Sequence, residues 1–241
     1  MTRSVPPSPT SQPPTSPSAR PSTSPSPTPP SARPEVRGLP DVRRPDAAAV
    51  FVAARHVPDR AAGLAALQGA ADQWAEASWP AGVLSLSGFL DTDDDTVLTY
   101  AQCADPDAYR ELRASLDGLA AAEPVEYRPH RSLVLNPGVP GCVIVAVFDV
   151  DAPDRQELII DSIATTVREA AHRHPGMLSA NFHVSRDGTR VLNYAEWTSD
   201  EAHVAFLEGA THGATRRVSD TTPGVRPIGF KRYHLRHALG V

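Results

Sequence analysis

Apolar and polar positions alternate along the chain in two rounds, and each round runs through the same order of strand-like and helix-like segments. "AAVFVAARHV" (48–57) has the branched and apolar make-up of a strand. Residues 59–78 follow with Leu64, Leu67, Ala71 and Trp74 at helical spacing. "GVLSLSGFL", the acidic turn "DTDDD" and "TVLTYAQC" read as a hairpin. Asp105-Pro106 opens a second helix with an acidic cap and proline in its first turn, and "VEYRPHRSLVL" (125–135) is a closing strand. After the short loop "NPGVPG" the order restarts. It gives a strand over 142–151, an amphipathic helix over 153–173 stopped by Pro175-Gly176, and a hairpin over 178–197. Thr198 with Glu201 predicts a capping box for a fourth helix running to about Glu208, and 224–236 supplies the last strand.

The two hairpins share a written pattern. "LSLSGFLDTDDDTVLTYAQC" and "LSANFHVSRDGTRVLNYAEW" keep Leu-Ser, Val-Leu and Tyr-Ala at an offset of about 94 residues, too long for a solenoid. Each round is β-α-β-β-α-β, so the predicted fold class is α+β with two tandem ferredoxin-like domains, 45–137 and 138–241. Two helices cover one face of a four-stranded sheet, and the other face needs a partner. The second copy is the natural one, and sheet against sheet gives a pseudo-dimeric α+β barrel.

Residues 1–44 do not share this patterning. They are rich in Pro, Ser and Thr with few large apolar side chains, which predicts a disordered tail, partly polyproline II. "PTPP" has the form of a ligand for an SH3-like groove, against the plainer reading of a passive tail. A net charge of −5 lacks the clustered basic face that nucleic acid requires. No apolar run approaches the roughly 20 residues of a membrane span, and the start lacks the apolar segment of a secretory leader. Cys103 and Cys142 are too few for a disulfide framework. These features together predict a cytoplasmic protein.

The stretch "GMLSANFHVSRDGTRVLNYAEWTSDEAH" (176–203) closely resembles the antibiotic biosynthesis monooxygenase family. The resemblance rests on Gly176, the Asp187-Gly188-Thr189 turn, Asn193-Tyr194 and Trp197 before an acidic helix start. It implies a monooxygenase that oxidises an aromatic polyketide with O2 in antibiotic biosynthesis, a phenol or anthrone becoming a quinone. Tandem members also resemble enzymes that open an angucycline ring with reduced flavin from a reductase. The choice between no cofactor and reduced flavin (FADH2 or FMNH2) stays open at this point, and no metal is implied. Pairing of two chains as a homodimer is also left open.

Along the second hairpin strand, Val191, Asn193, Ala195 and Trp197 share one face, and Leu192, Tyr194 and Glu196 the other. An amide and an indole flanking a small alanine leave a niche where the indole stacks on a flat ring and the amide holds its oxygen. Asn193, Trp197 and His203 are the candidate catalytic residues, His203 standing where some relatives carry a pocket tyrosine and offering a general base. Phe182, Tyr194 and Tyr109 are the candidate substrate contacts, Phe182 replacing a frequent family tyrosine. His183, by alternation, points at the partner sheet. The first copy has Thr99 and Cys103 where the second has Asn193 and Trp197, so it reads as the structural half. "DTDDD" lacks the spacing of a calcium loop and reads as a solvated turn. Two other functions remain in view. One is a non-catalytic ligand-binding or scaffolding barrel. The other is haem degradation, disfavoured because "CVIVAVFDVD" has no asparagine.

Overall fold

The computed structural model describes residues 1–2, 35–36 and 38–241, and 38–241 belong to one compact unit. In chain order the elements are β1 (Glu35–Val36), β2 (Ala49–His56), α1 (Arg60–Glu76), β3 (Val83–Asp91), β4 (Thr96–Cys103), α2 (Pro106–Ala114) and β5 (Val125–Val134). The second round gives β6 (Cys142–Val150), α3 (Pro153–Ala170), a short 3-10 turn (Ala171–Arg173), β7 (Met177–Ser185) and β8 (Arg190–Trp197). It finishes with α4 (Asp200–Leu207), α5 (Ala210–Thr221) and β9 (Val225–Gly240).

Each round forms a ferredoxin-like sheet, β5-β2-β4-β3 and β9-β6-β8-β7. The two sheets join edge to edge, β5 on β7 and β9 on β3, closing an eight-stranded barrel with β1 added outside on β9. β5 and β9 make the corners. β9 pairs with β6 from Val225 to Tyr233, then with β3 from Tyr233 to Gly240. β5 changes partner in the same way at Tyr127, from β2 to β7.

Sheets covered on both faces have no solvent side, and β3, β4 and β7 are buried at every position. Three apolar clusters result. One lies under α1 and α2, with Leu67, Trp74, Phe51 and Tyr109. A second lies under α3 and α4, with Ile159, Ile160, Phe182 and Trp197. The third fills the barrel between the sheets, with Val50, Phe89, Tyr100, Val145 and Tyr194. The pseudo-twofold barrel anticipated from the repeat is therefore the observed fold. No described helix is long and apolar enough to cross a membrane.

Four local details differ from the sequence reading. The helix after β8 is capped by Ser199, whose hydroxyl accepts from the Ala202 amide at 3.2 Å, one residue later than Thr198. α5 was not anticipated, since "ATHGATRRVSDT" is dominated by weak helix formers. The segment from 38 to 44, assigned to the tail, is placed against the barrel. There Val42 is buried in the inter-sheet cluster, and the Asp41 carbonyl accepts from Gln102 Nε2 at 2.8 Å. The reading of 3–34 and 37 as polyproline-like, including "PTPP", lies outside the described residues. Finally, the acidic turn is anchored rather than merely solvated. Asp91 is buried and pairs with Lys231 of β9, which also reaches Asp95 at 2.6 Å.

Candidate active site

The second hairpin positions the site. Its turn is held by Asp187, whose Oδ1 accepts from the Thr189 amide at 3.0 Å, and by Gly188 at φ 78°, a left-handed conformation that favours glycine. At the other end Gly176 passes so close to α4 that a Cβ there would lie 2.5 Å from Ala202 Cβ. These two contacts set the register of β8 and seat α4 against its end.

β8 alternates as its sequence demands. Leu192 and Tyr194 enter the barrel, while Asn193, Ala195 and Trp197 face the helices. On that face a cavity of about 480 Å³ opens between the second sheet and α3, α4 and α5. Its floor is made of small residues, Ala146, Ala180 and Ala195, with Trp197 along one side. α5 supplies the mouth through His212, Thr215, Arg216 and Asp220, facing Pro227 and Phe230 of β9. Arg216 and Asp220 pair at 3.4 Å.

Two buried polar atoms in this cavity, Asn193 Oδ1 and His203 Nδ1, have no partner among the described residues. Buried polar groups are almost always satisfied, and this pair faces one cavity, where a bound ligand or water would complete its bonds. The amide of Asn193 can turn by 180° and present either oxygen or NH2. The His203 ring lies edge-on to Trp197 at 5.1 Å and to Phe230 at 5.5 Å. Burial, followed by the charges of Arg232 and His212, lowers its pKa to about 4. It is therefore neutral at pH 7, an acceptor or donor of hydrogen bonds rather than the near-neutral base anticipated.

Asn193, Trp197 and His203 thus come together in one cavity, whereas the three anticipated substrate contacts do not join them. Phe182 pairs across from Asn193 but is fully buried beneath α3, in the same cluster as Ile159 and Ile160. Tyr194 lies inside the barrel, 5.3 Å from Tyr100 ring to ring, and burial holds its hydroxyl protonated. Tyr109 stacks on Phe51 at 4.4 Å in the first repeat's core. His183 does face the first repeat. Its Nδ1–H donates to the Asn181 carbonyl at 3.1 Å, so Nε2 accepts from the Tyr100 hydroxyl at 3.0 Å.

The corresponding space in the first repeat is filled. Gly88 replaces Phe182 in the pattern, and a Cβ on it would lie 2.8 Å from Leu67 and 3.7 Å from the Trp74 indole. Thr99 and Cys103 sit buried beneath, and burial pushes the Cys103 thiol up to about 12. Sequence reasoning missed His212, which lies on the unforeseen α5, and weighed Arg216 as a partner for a substrate carboxylate against a surface role; Arg216 lines the cavity, paired with Asp220. Among the described residues no group of three or more His, Cys, Asp and Glu side chains is gathered to hold a metal ion.

Residues 142–218 match the antibiotic biosynthesis monooxygenase family. Tetracenomycin-F1 monooxygenase of Streptomyces glaucescens is 42% identical over 57 residues, 24% of this chain. The match spans half the length of that relative. An anthrone oxidase-like protein superposes with a TM-score of 0.63 at 16% identity, over 81% of this chain and 93% of its own. A chlorite dismutase from Candidatus Nitrospira defluvii superposes with a TM-score of 0.50 at 11% identity, over 81% and 92%. Both structural likenesses concern the fold.

Proposed function

From the premise that the second repeat is an antibiotic biosynthesis monooxygenase domain, we propose that its cavity binds a hydroxylated polycyclic aromatic and oxidises it with dioxygen. The observation that carries the proposal is the pair of unsatisfied polar atoms, Asn193 Oδ1 and His203 Nδ1, in an otherwise largely apolar cavity. A cavity of about 480 Å³ suits one flat ring system of drug-like size. The Trp197 indole offers a stacking face, and the amide and imidazole meet the ring's oxygens. The name of the Streptomyces relative and that of the anthrone oxidase-like structure both support this substrate class.

Loss of a phenolic proton makes the ring electron-rich enough to pass an electron to dioxygen. Recombination and loss of water then leave a carbonyl. For an anthrone, the methylene carbon and O2 give the ketone and one water, a balance that needs no outside reductant. The residues' task is to hold the oxygens, flatten the ring against Trp197 and keep bulk water away. The first repeat, whose equivalent space is filled, completes the barrel without its own reaction.

Oxygen uptake with 1,8-dihydroxyanthrone tests this, measured aerobically and anaerobically, with and without reduced flavin. Uptake of one O2 per quinone without flavin is expected. Uptake only with reduced flavin would make flavin the reductant. Binding without oxygen consumption in either case would leave a ligand-binding barrel in place of an enzyme.

A further inference from the structure

We propose that His212 is the base of this cavity, accepting the phenolic proton of the bound ring on Nε2. The proposal rests on the oxygenase reading above. Two imidazoles line the cavity, and their surroundings differ in what a proton transfer needs. His203 is 3% exposed and enclosed by Trp197, Phe206 and Phe230. A proton taken there would create a cation among aromatic rings and within the field of Arg232. Burial opposes that state, as the direction of its shift shows.

His212 is half-buried at the mouth, on the first turn of α5. Its Nδ1 lies 3.0 Å from the Leu207 carbonyl. A carbonyl only accepts, so Nδ1 carries the hydrogen and the Nε2 lone pair is left free. Nε2 makes no hydrogen bond to any described residue. The ring is steadied between Phe206 at 5.8 Å and Phe230 at 6.4 Å. The imidazolium formed on protonation would strengthen the bond to Leu207, one of the last carbonyls of α4. The groups around it are the paired Arg216 and Asp220 on its own helix α5, His203 on α4, and Phe230 on β9. His174, beyond Phe206, is engaged with Thr211 at 2.8 Å.

The step balances simply. The phenol O–H bond breaks, its electron pair stays on oxygen, and the proton forms an N–H bond on Nε2. From the mouth it passes to solvent. The phenolate, accepting from the Asn193 amide NH2 once that amide is turned toward it, is the species dioxygen oxidises.

The test begins with wild-type turnover of 1,8-dihydroxyanthrone under oxygen. His212→Ala should lower kcat about 10²–10⁴-fold with KM changed only a few-fold, and free imidazole should restore part of the rate. His212→Gln should lose the acidic limb of the kcat/KM pH profile. Retention of that limb and of wild-type kcat in both variants would overturn the proposal while leaving the oxygenase reading intact. Wild type without oxygen uptake would end both. A second readout is independent of turnover. The phenolate absorption of bound 1,8-dihydroxyanthraquinone should appear at lower pH than in free dye, and His212→Gln should abolish that difference. An unchanged difference in a variant with native circular dichroism would refute the assignment.

Discussion

Asn193→Leu should make the protein more stable and less active at once. The substitution keeps the branched shape and number of heavy atoms and removes a buried oxygen that has no hydrogen-bond partner among the described residues. An unsatisfied buried group costs about 1–3 kcal/mol. Asn193 is only partly buried as a residue, so a gain of about 1–2 kcal/mol is the reasonable range. For a domain of this size that corresponds to a rise of roughly 2–8 °C in Tm. Loss of one pre-organised hydrogen-bonding group from the reacting oxygen should cost about 10²–10³-fold in kcat. Thermal unfolding followed by circular dichroism reads the first quantity, and oxygen uptake reads the second. A structural asparagine gives the opposite result, a lower Tm with turnover preserved in whatever protein stays folded. A fall in Tm would refute the reasoning, because it would show that the amide is satisfied in solution.

Three further outcomes follow from buried contacts in the fold. Lys231→Met should destabilise by about 3–5 kcal/mol, because Asp91 is buried and loses its cation. Adding Asp91→Asn should recover much of that loss in urea titrations. His183 and His203 are each lowered to about 4 by burial, against about 6.5 unfolded. The unfolded chain therefore binds more protons, so their contribution is whole above pH 6.5 and is lost as pH falls toward 4. The loss is about 3 kcal/mol for each histidine, and denaturant midpoints measured from pH 7 to 4 should show it. Gly176→Ala should cost about 1–3 kcal/mol and weaken ligand binding, since the new methyl meets Ala202 of α4. Unchanged stability there would mean that α4 shifts freely.

The fold was legible because both rounds are written in periodicities that tertiary structure does not override. The alternation of Leu192, Asn193, Tyr194 and Ala195 sorts itself onto two faces whatever lies beyond them. Asn193, Trp197 and His203 could be found together because two sit on one strand face and the third on the next helix. Phe182 and Tyr109 could not be placed. A large aromatic on the correct face is equally suited to core and cavity, and only the helix packed above it decides. Tyr194 was assigned by its neighbour's motif against its own alternation, and the alternation won. α5 was hidden because tertiary packing, rather than helix propensity, supports "ATHGATRRVSDT". With it went His212, and with Arg216 the character of the cavity's mouth.

The corner strand β9 sets an order on the chain's birth at the ribosome. Leu98 and Tyr100 of the first repeat look inward to surfaces on β6, β8 and β9. β3 finds its outer neighbour only in residues 233–240. At a synthesis rate of about 5–20 residues per second, the nascent first repeat waits roughly 5–20 s with one sheet face uncovered. Duplication inside one polypeptide spares the protein a search for a second subunit but makes residues 233–240 the clasp. A truncated or stalled product lacking them would present an open apolar face to chaperones and proteases.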